Sequence, residues 1–368
     1  MEIQFIETNI NRMTANIDIK KISIKELSEF IDSDFFKNLN TKPVSPDRAL
    51  SYINNPRSVP NDPVVYMLLL NKELVCFRTV IPDFIYKNDE KEKIAWLSGS
   101  FTKINYRRKG YSKLLLDEII KDYNQKIIYT NYAPESHLLY SNSGKFKIVT
   151  ERKGRRFYGK ININDFIKKK SFFMMLIKPF SNLLISIFAR FKRATYHTDR
   201  SIKIEEHKKQ LPKNFIKNIQ NRQSLFNREQ KDFEWIFNFP WLTTNKEYFN
   251  YDYPFSFYTN DFKYHFLHVS KQNDNAWLIL MERESSIKLS YYSCTNIKLA
   301  AKAILDLCYT TKAKTLTILD RELSQEIIAH KMPFIYHKPF HMGIYASFPI
   351  ENPGQYQFQD GDGDYIFT

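Results

Sequence analysis

The stretch Asn105-Tyr-Arg-Arg-Lys-Gly-Tyr-Ser112 combines the ingredients of an anion seat. Gly110 has no Cβ, so a ligand can come close to the backbone there, where successive N–H groups converge. A helix opening at this point adds the partial positive charge of its N-terminus. Arg107, Arg108 and Lys109 add full charges suited to a pyrophosphate and a 3′-phosphate. A basic turn with one glycine is also what a solvated strand–helix connection looks like, so its meaning depends on its flanks. A second cluster follows at Ser136-x-x-x-Tyr140-x-x-x-Gly144-x-Phe146. Taken alone, its tyrosine reads as a core tyrosine on a short helix.

The flanks supply what the turn needs. Ile94–Ile104 reads as a strand entering it, and Leu116, Ile119, Ile120 and Tyr123 mark a helix leaving it, at i, i+3, i+4, i+7. Ile127–Tyr132 is then expected as a strand, Glu135–Ser141 as a short helix, and Phe146–Val149 with Arg156–Ile163 as a final strand pair. Upstream, Ala15–Ile22 reads as a strand, and the capping box Ser23-Ile-Lys-Glu26 opens a helix reaching about Phe36. Ser45-Pro46 starts another. Val64–Leu70 and Leu74–Ile81 form a hairpin around Asn71-Lys-Glu, followed by a charged loop at Lys87–Lys93.

With strand, basic glycine turn, helix, strand and tyrosine helix in this order, residues 15–165 resemble the GNAT superfamily of CoA-dependent N-acyltransferases. Two departures stand out: Ser112 replaces the commoner Gly or Ala, and Lys145 separates Gly144 from Phe146. The resemblance implies that acetyl-CoA is the acyl donor and that the N–H groups of Arg108, Lys109, Gly110, Tyr111 and Ser112 hold its pyrophosphate, helped by Arg107 and Arg108. The strand end Phe101, Thr102, Lys103 and Ile104 would pair with the pantetheine arm. Tyr140 would protonate the departing thiolate. An amine, on a small molecule or a peptide, would attack the thioester directly, since no Cys or Ser nucleophile motif is visible. The general base is not legible. The strand Trp96-Leu-Ser-Gly-Ser-Phe has no carboxylate, which leaves Glu135 and His137 as the nearest titratable groups.

The expected fold class is α/β (α+β): a GNAT-type mixed, mostly antiparallel sheet flanked by helices, in two tandem copies with the second degenerate. The expected division is a catalytic domain at 1–165, a basic and apolar helical connector at 166–200, and a second α/β domain at 201–368. Phe262–Val269, Ala276–Glu282 and Ile287–Ser293 read as strands, Asn296–Cys308 as a helix, Thr315–Leu319 as a strand, Ser324–His330 as a helix and Phe334–Phe348 as a strand. Asn296-Ile-Lys-Leu-Ala300 stands where a second phosphate turn would be and has no glycine. Phe233–Trp241 is aromatic enough to line an acceptor cleft or to fill a core.

The 368 residues carry a net charge of +15, and its distribution matters more than its size. Residues 151–193 hold 12 Lys/Arg against two acids, which is +10 of the +15. The excess belongs to one surface or linker and argues against nucleic acid as a partner. A Fem-like aminoacyl transferase using charged tRNA would suit the basic stretch but not the intact CoA turn, and a catalytically silent binding module is the other alternative. Within 172–191 the apolar residues are interrupted by Lys178 and Pro179, too much to span a bilayer. Phe173, Leu176, Ile177 and Phe180, then Leu184, Ile187, Phe188 and Phe191, repeat helical spacing. The stripe is expected to pack between the halves or in a homodimer, with peripheral membrane contact through 168–193 as the alternative.

No metal site is expected. Asp360-Gly-Asp-Gly-Asp364 lacks the glutamate and helix of an EF-hand and reads as an acidic turn, or as a rim for a metal or amine. His265, His268, His337 and His341 read as structural. Cys76, Cys294 and Cys308 are too few and too scattered for a disulfide framework or a zinc site. Together with an N-terminus lacking a secretion signal, they point to a cytoplasmic protein.

Overall fold

The computed structural model describes residues 16–367 except 88–89, 132–133, 161–171, 208–210, 212, 220–222 and 249–250; the side chains of 135, 172–182, 213 and 214 also lie outside it. The first half runs β1 (Ile17–Ser23), α1 (Ile24–Asp32), α2 (Asp34–Lys37), α3 (Pro46–Ile53), β2 (Pro63–Leu70), β3 (Glu73–Lys87) and β4 (Glu90–Thr102). It continues through a 3-10 turn at Ile104–Tyr106, α4 (Tyr111–Asp122), β5 (Ile127–Thr130), α5 (Pro134–Asn142) and β6 (Lys147–Tyr158). After α6 (Phe172–Ala194) the second half repeats the scheme. It runs β7 (Lys203–His207), α7 (Lys213–Ile219), α8 (Gln230–Asn238), β8 (Phe262–Lys271), β9 (Asp274–Arg283), β10 (Ser286–Cys294), α9 (Ile297–Thr310), β11 (Thr315–Ile318), α10 (Arg321–Ala329) and β12 (Tyr336–Ala346).

Local signals act where expected. The Glu26 carboxylate accepts from the Ser23 N–H at 2.9 Å, and the Ser45 hydroxyl accepts from the Arg48 N–H at 3.4 Å with Pro46 in the first turn. Asn71 and Lys72 both take positive φ, the geometry of a two-residue hairpin turn. Two expectations are corrected. Phe146–Val149 and Arg156–Ile163 are not a strand pair, because β6 runs unbroken from Lys147 to Tyr158. Lys87–Lys93 is not a loop, because β3 and β4 continue to Lys87↔Glu90.

All twelve strands form one mixed sheet, in the order β1-β2-β3-β4-β5-β12-β6-β11-β10-β9-β8-β7. Each half supplies five strands in sequence, and its sixth lies across the middle. β12 pairs with β5 of the first half, β6 pairs with β11 of the second, and the two exchanged strands pair with each other from Tyr336↔Tyr158 to Ala346↔Lys147. This is the mixed, mostly antiparallel sheet with tandem halves expected from the resemblance. One face carries a core shared by both halves, including Leu27, Tyr52, Phe77, Phe215, Phe226, Trp235 and Ile366. On the other face α4 and α5 cover the first half, and α9 and α10 the second, over separate cores.

Gly154 on β6 marks the tightest point of the exchange. A Cβ there would lie 1.9 Å from the Ile318 carbonyl oxygen and 2.5 Å from the Leu319 Cα. Those are backbone atoms and cannot swing away. Gly154→Ala is expected to cost on the order of 2–4 kcal/mol by forcing β6 off β11. A denaturation midpoint equal to the parent's would show that the sheet closes more loosely than this.

Candidate functional site

The site grows from a split in the sheet. β4 and β5 are parallel neighbours only at Ala95↔Ile127 and Trp96↔Ile128. One residue later β4 carries a bulge, with Leu97 opposite Val80 and Gly99 opposite Thr79, so that Ser98 is extra. From there β4 leans toward β3, and its other edge, over Leu97–Thr102, has no strand partner among the described residues. The result is a wedge whose strand edge lacks a ladder partner among the described residues and leads to the turn.

At its open end the chain makes the 3-10 turn, then Arg108 takes φ +63° and Gly110 φ +82° as N-cap of α4. The first amides of a helix have no intrahelical acceptor, so those of Tyr111 and Ser112 are left for another partner. The Arg107, Arg108 and Lys109 side chains are exposed around them. Arg107 Nε donates to the Thr102 carbonyl at 3.1 Å, and the Lys109 ammonium lies 5.4 Å from the Tyr106 ring centroid. Other residues of the stretch face elsewhere. Phe101 packs against Phe77 with ring centroids 5.4 Å apart, Tyr111 is buried, and Lys103 pairs with Glu73 at 2.8 Å. They therefore offer backbone rather than side chains. Ile104 is fully in solvent, at 77% exposure.

Tyr140 on α5 reaches the same place from the other side of the wedge. It is buried against Tyr129, at 4.3 Å between centroids, and its hydroxyl accepts from Arg78 Nη1 at 2.9 Å. Arg78, on β3, escapes notice in the sequence. Its guanidinium is 1% exposed and also donates to the Ser112 carbonyl at 3.0 Å and the Ser112 hydroxyl at 2.8 Å. No carboxylate pairs with it among the described residues, so a buried cation with neutral partners links the helix start to Tyr140. The detectable signal was a lone arginine inside the apolar run Val75-Cys-Phe-Arg-Thr-Val80.

Of the two candidate bases, His137 Nδ1 lies 3.0 Å from the Tyr129 hydroxyl, its ring against Tyr345. The Glu135 side chain lies outside the described residues. Burial pushes the Cys76 thiol up, 3.2 Å from the Thr102 hydroxyl, which disfavours it as a nucleophile.

Behind the bulge, at the junction of the halves, is a cavity of about 300 Å³ lined by Arg48, Ser98, Trp241, Tyr253, Phe255 and Phe257. Arg48 is buried and donates to Tyr52, Tyr253, Thr79 and Ser98, with its guanidinium 3.9 Å from the Trp241 ring. The aromatic stretch 233–241 divides accordingly. Phe233, Trp235 and Ile236 are core, whereas Trp241 faces the cavity.

The second half repeats the split and closes it. β10 and β11 are parallel only from Ser286↔Thr315 to Lys288↔Thr317, and Ser290 is the extra residue of a bulge placed like that of Ser98. Here the chain's last segment fills the gap. The Gly361 N–H donates to the Ser290 carbonyl at 2.7 Å, and the Gln359 side-chain amide bonds both backbone groups of Tyr292, at 3.0 and 3.2 Å. The Asn296 side chain accepts from the Lys298 N–H, capping α9 from within. Asp360-Gly-Asp-Gly-Asp364 forms a turn running into a 3-10 helix, as an acidic turn would, but its three carboxylates are buried rather than set on a rim. Asp360 meets Arg152 and the Leu319 N–H, Asp362 accepts from the Gln359 N–H, and Asp364 accepts from Ser98. The four histidines are scattered and occupied. His265 lies between Glu206 and Glu282, His268 stacks on Trp277, and His337 and His341 sit beside Arg155 and Glu151.

Among solved structures, N-myristoyltransferase of Saccharomyces cerevisiae with bound myristoyl-CoA is similar over 94% of this chain and 83% of its own, at 12% identity and a TM-score of 0.49. GCN5-related N-acetyltransferases from Kribbella flavida (9% identity, 90% and 71% of the two chains, TM-score 0.46) and Anabaena variabilis (8%, 89% and 72%, 0.46) are similar too. No family model and no curated protein matches the chain.

The apex of the open wedge is fixed by charge. Trp96 Nε1 donates to Asp83 at 2.9 Å, and Asp83 is held by Arg57 at 2.9 Å and by Arg228 at 2.7 Å from the other half; Arg57 also meets Asp232. Burial pushes the Asp83 carboxyl up, but Arg228 and Arg57 outweigh it and hold it below the usual carboxylate range. Asp83→Asn leaves two buried guanidiniums with one carboxylate between them and is expected to cost about 3–5 kcal/mol. A loss under about 1 kcal/mol in urea titration would mean that water replaces the ion pair.

Proposed function

We propose that this chain is an acyl-CoA-dependent N-acyltransferase that moves an acyl group, acetyl in the simplest case, onto an amine. The observation that carries the reading is the wedge: β4 backbone without a strand partner among the described residues leads to a cationic glycine turn at a helix start, beside a buried tyrosine that accepts from buried Arg78. A pantetheine arm needs backbone partners along its amides, and a pyrophosphate needs converging N–H groups with positive charge. Leu97–Thr102 and Arg107–Ser112 offer both in the right order.

In this reading the amine enters through the cavity behind the Ser98 bulge, lined from both halves. Its nitrogen attacks the thioester carbonyl, and the C–S bond breaks as the C–N bond forms. Tyr140 gives its hydroxyl proton to the departing sulfur, while Arg78 N–H donates to the tyrosine oxygen and steadies the charge left there. The attacking nitrogen sheds one proton, so acid and ammonium balance over the cycle. Aromatic walls suit an acceptor with an apolar body. Buried Arg48 disfavours a second positive charge near the reacting nitrogen.

Two experiments test this. Gly110→Asp puts a Cβ at a positive φ and a negative charge on the phosphate path. Calorimetry is expected to show acetyl-CoA binding to the parent and a loss of at least about 100-fold in the variant, roughly 3 kcal/mol, with the fold intact. Equal affinity for both proteins removes the turn as the donor seat. Tyr140→Phe is expected to lower kcat about 10²–10³-fold on a true acceptor with little change in donor affinity. Arg78→Met is expected to lower kcat on the same acceptor, again with little change in donor affinity. If either variant retains full kcat, its residue only fills space.

A further inference from the structure

The described part of the apolar stripe of α6 does not pack between the halves, while the side chains of Phe173, Leu176, Ile177 and Phe180 lie outside the described residues. Leu183, Leu184, Ile187, Phe188 and Phe191 are 57, 50, 53, 48 and 63% exposed, an unusual run of large apolar side chains for one surface helix. At about 100° per residue they share an arc of roughly 140°. Arg190 falls at one edge of that arc and Lys192 at the other. Ile185, Ser186, Ala189 and Arg193 occupy the opposite, half-buried face. Arg193 fastens it, donating to the Tyr309 carbonyl with its guanidinium 5.2 Å from the Tyr309 ring. The helix thus turns a mixed face of small, polar and apolar residues toward the protein and its largest apolar side chains outward, where an ordinary surface helix shows polar ones.

We propose that α6 docks the protein on an anionic membrane surface. The described stripe, Leu183–Phe191, spans more than two helical turns, enough to lie along an interface. No helix among the described residues is long and apolar enough to cross a bilayer, so the stripe rests in the headgroup region. Cations at both edges of the apolar face meet lipid phosphates when it is immersed. A second copy of the chain fits less well. A twofold contact sets a patch against itself, and Phe172–Ala194 contains four cations and no acid to receive them.

Flotation of the purified full chain tests this independently of acyl transfer. Binding is expected to vesicles of equimolar phosphatidylcholine and phosphatidylglycerol, with little to phosphatidylcholine alone, and to weaken at about 0.5 M salt. Arg190→Gln with Lys192→Gln is expected to weaken partition about thirtyfold. Ile187→Ser with Phe188→Ser is expected to abolish flotation, with circular dichroism and melting unchanged because both side chains are exposed. No flotation with either lipid overturns the proposal, as does equal flotation with both. A stable dimer by light scattering that the Ile187/Phe188 variant splits, with no vesicle binding in the parent, assigns the face to a second copy instead.

Discussion

A strand edge left unpaired inside a protein is costly, because its N–H and C=O groups lose water and gain nothing. Each half of this chain solves the problem by borrowing. β12 closes the first half against β5 and β6 closes the second against β11, so neither has a finished sheet without the other. The shared core on one face, and the Arg57–Asp83–Arg228–Asp232 network within it, depend on that exchange. The strands bring the halves into register, and the buried charges then penalise any other register.

The same constraint appears at the two splits, with opposite outcomes. In each half a parallel pair holds for only two or three residues before a serine bulge turns the inner strand away. At β10 the chain's own tail supplies the missing partners, with Gly361 and Gln359 bonding Ser290 and Tyr292. At β4 the same segment reaches only Ser98, through Asp364, and the edge beyond has no strand partner among the described residues. A duplicated architecture has been differentiated by which split the last segment fills. The cations of the first turn and the self-capped Asn296 of the second agree with that division.

Much of this was legible. The turn, its flanking strand and helix and the tyrosine helix follow local rules: glycine permissiveness, 3.6-residue periodicity and capping side chains. What escaped is what depends on distant partners. Pro82-Asp83 reads as the end of a strand, yet β3 runs on, because Asp83 is neutralised by Arg57 and by Arg228 far along the chain. The alternating aspartates near residue 362 look solvated until Arg152 and the Leu319 amide are found beside Asp360. Arg78 could have been flagged as a charge in an apolar strand, but its contact with Tyr140 could not. The strand exchange leaves no trace in periodicity, since β6 and β12 look the same whichever half they join.

Strand exchange also sets a timetable. The Gly343 N–H bonds the Asn131 side chain across 212 residues, so the β5 edge is closed only by a strand made much later. During synthesis at about 5–20 residues per second, the β5 edge is complete roughly ten to forty seconds before its partner emerges. Until then the first half is a nascent chain with an open edge, committed to waiting rather than folding in order from its N-terminus. Long-range closure of this kind slows folding and lengthens exposure to misassembly. The vulnerable interval therefore falls during synthesis, before β12 has emerged, rather than in the finished protein.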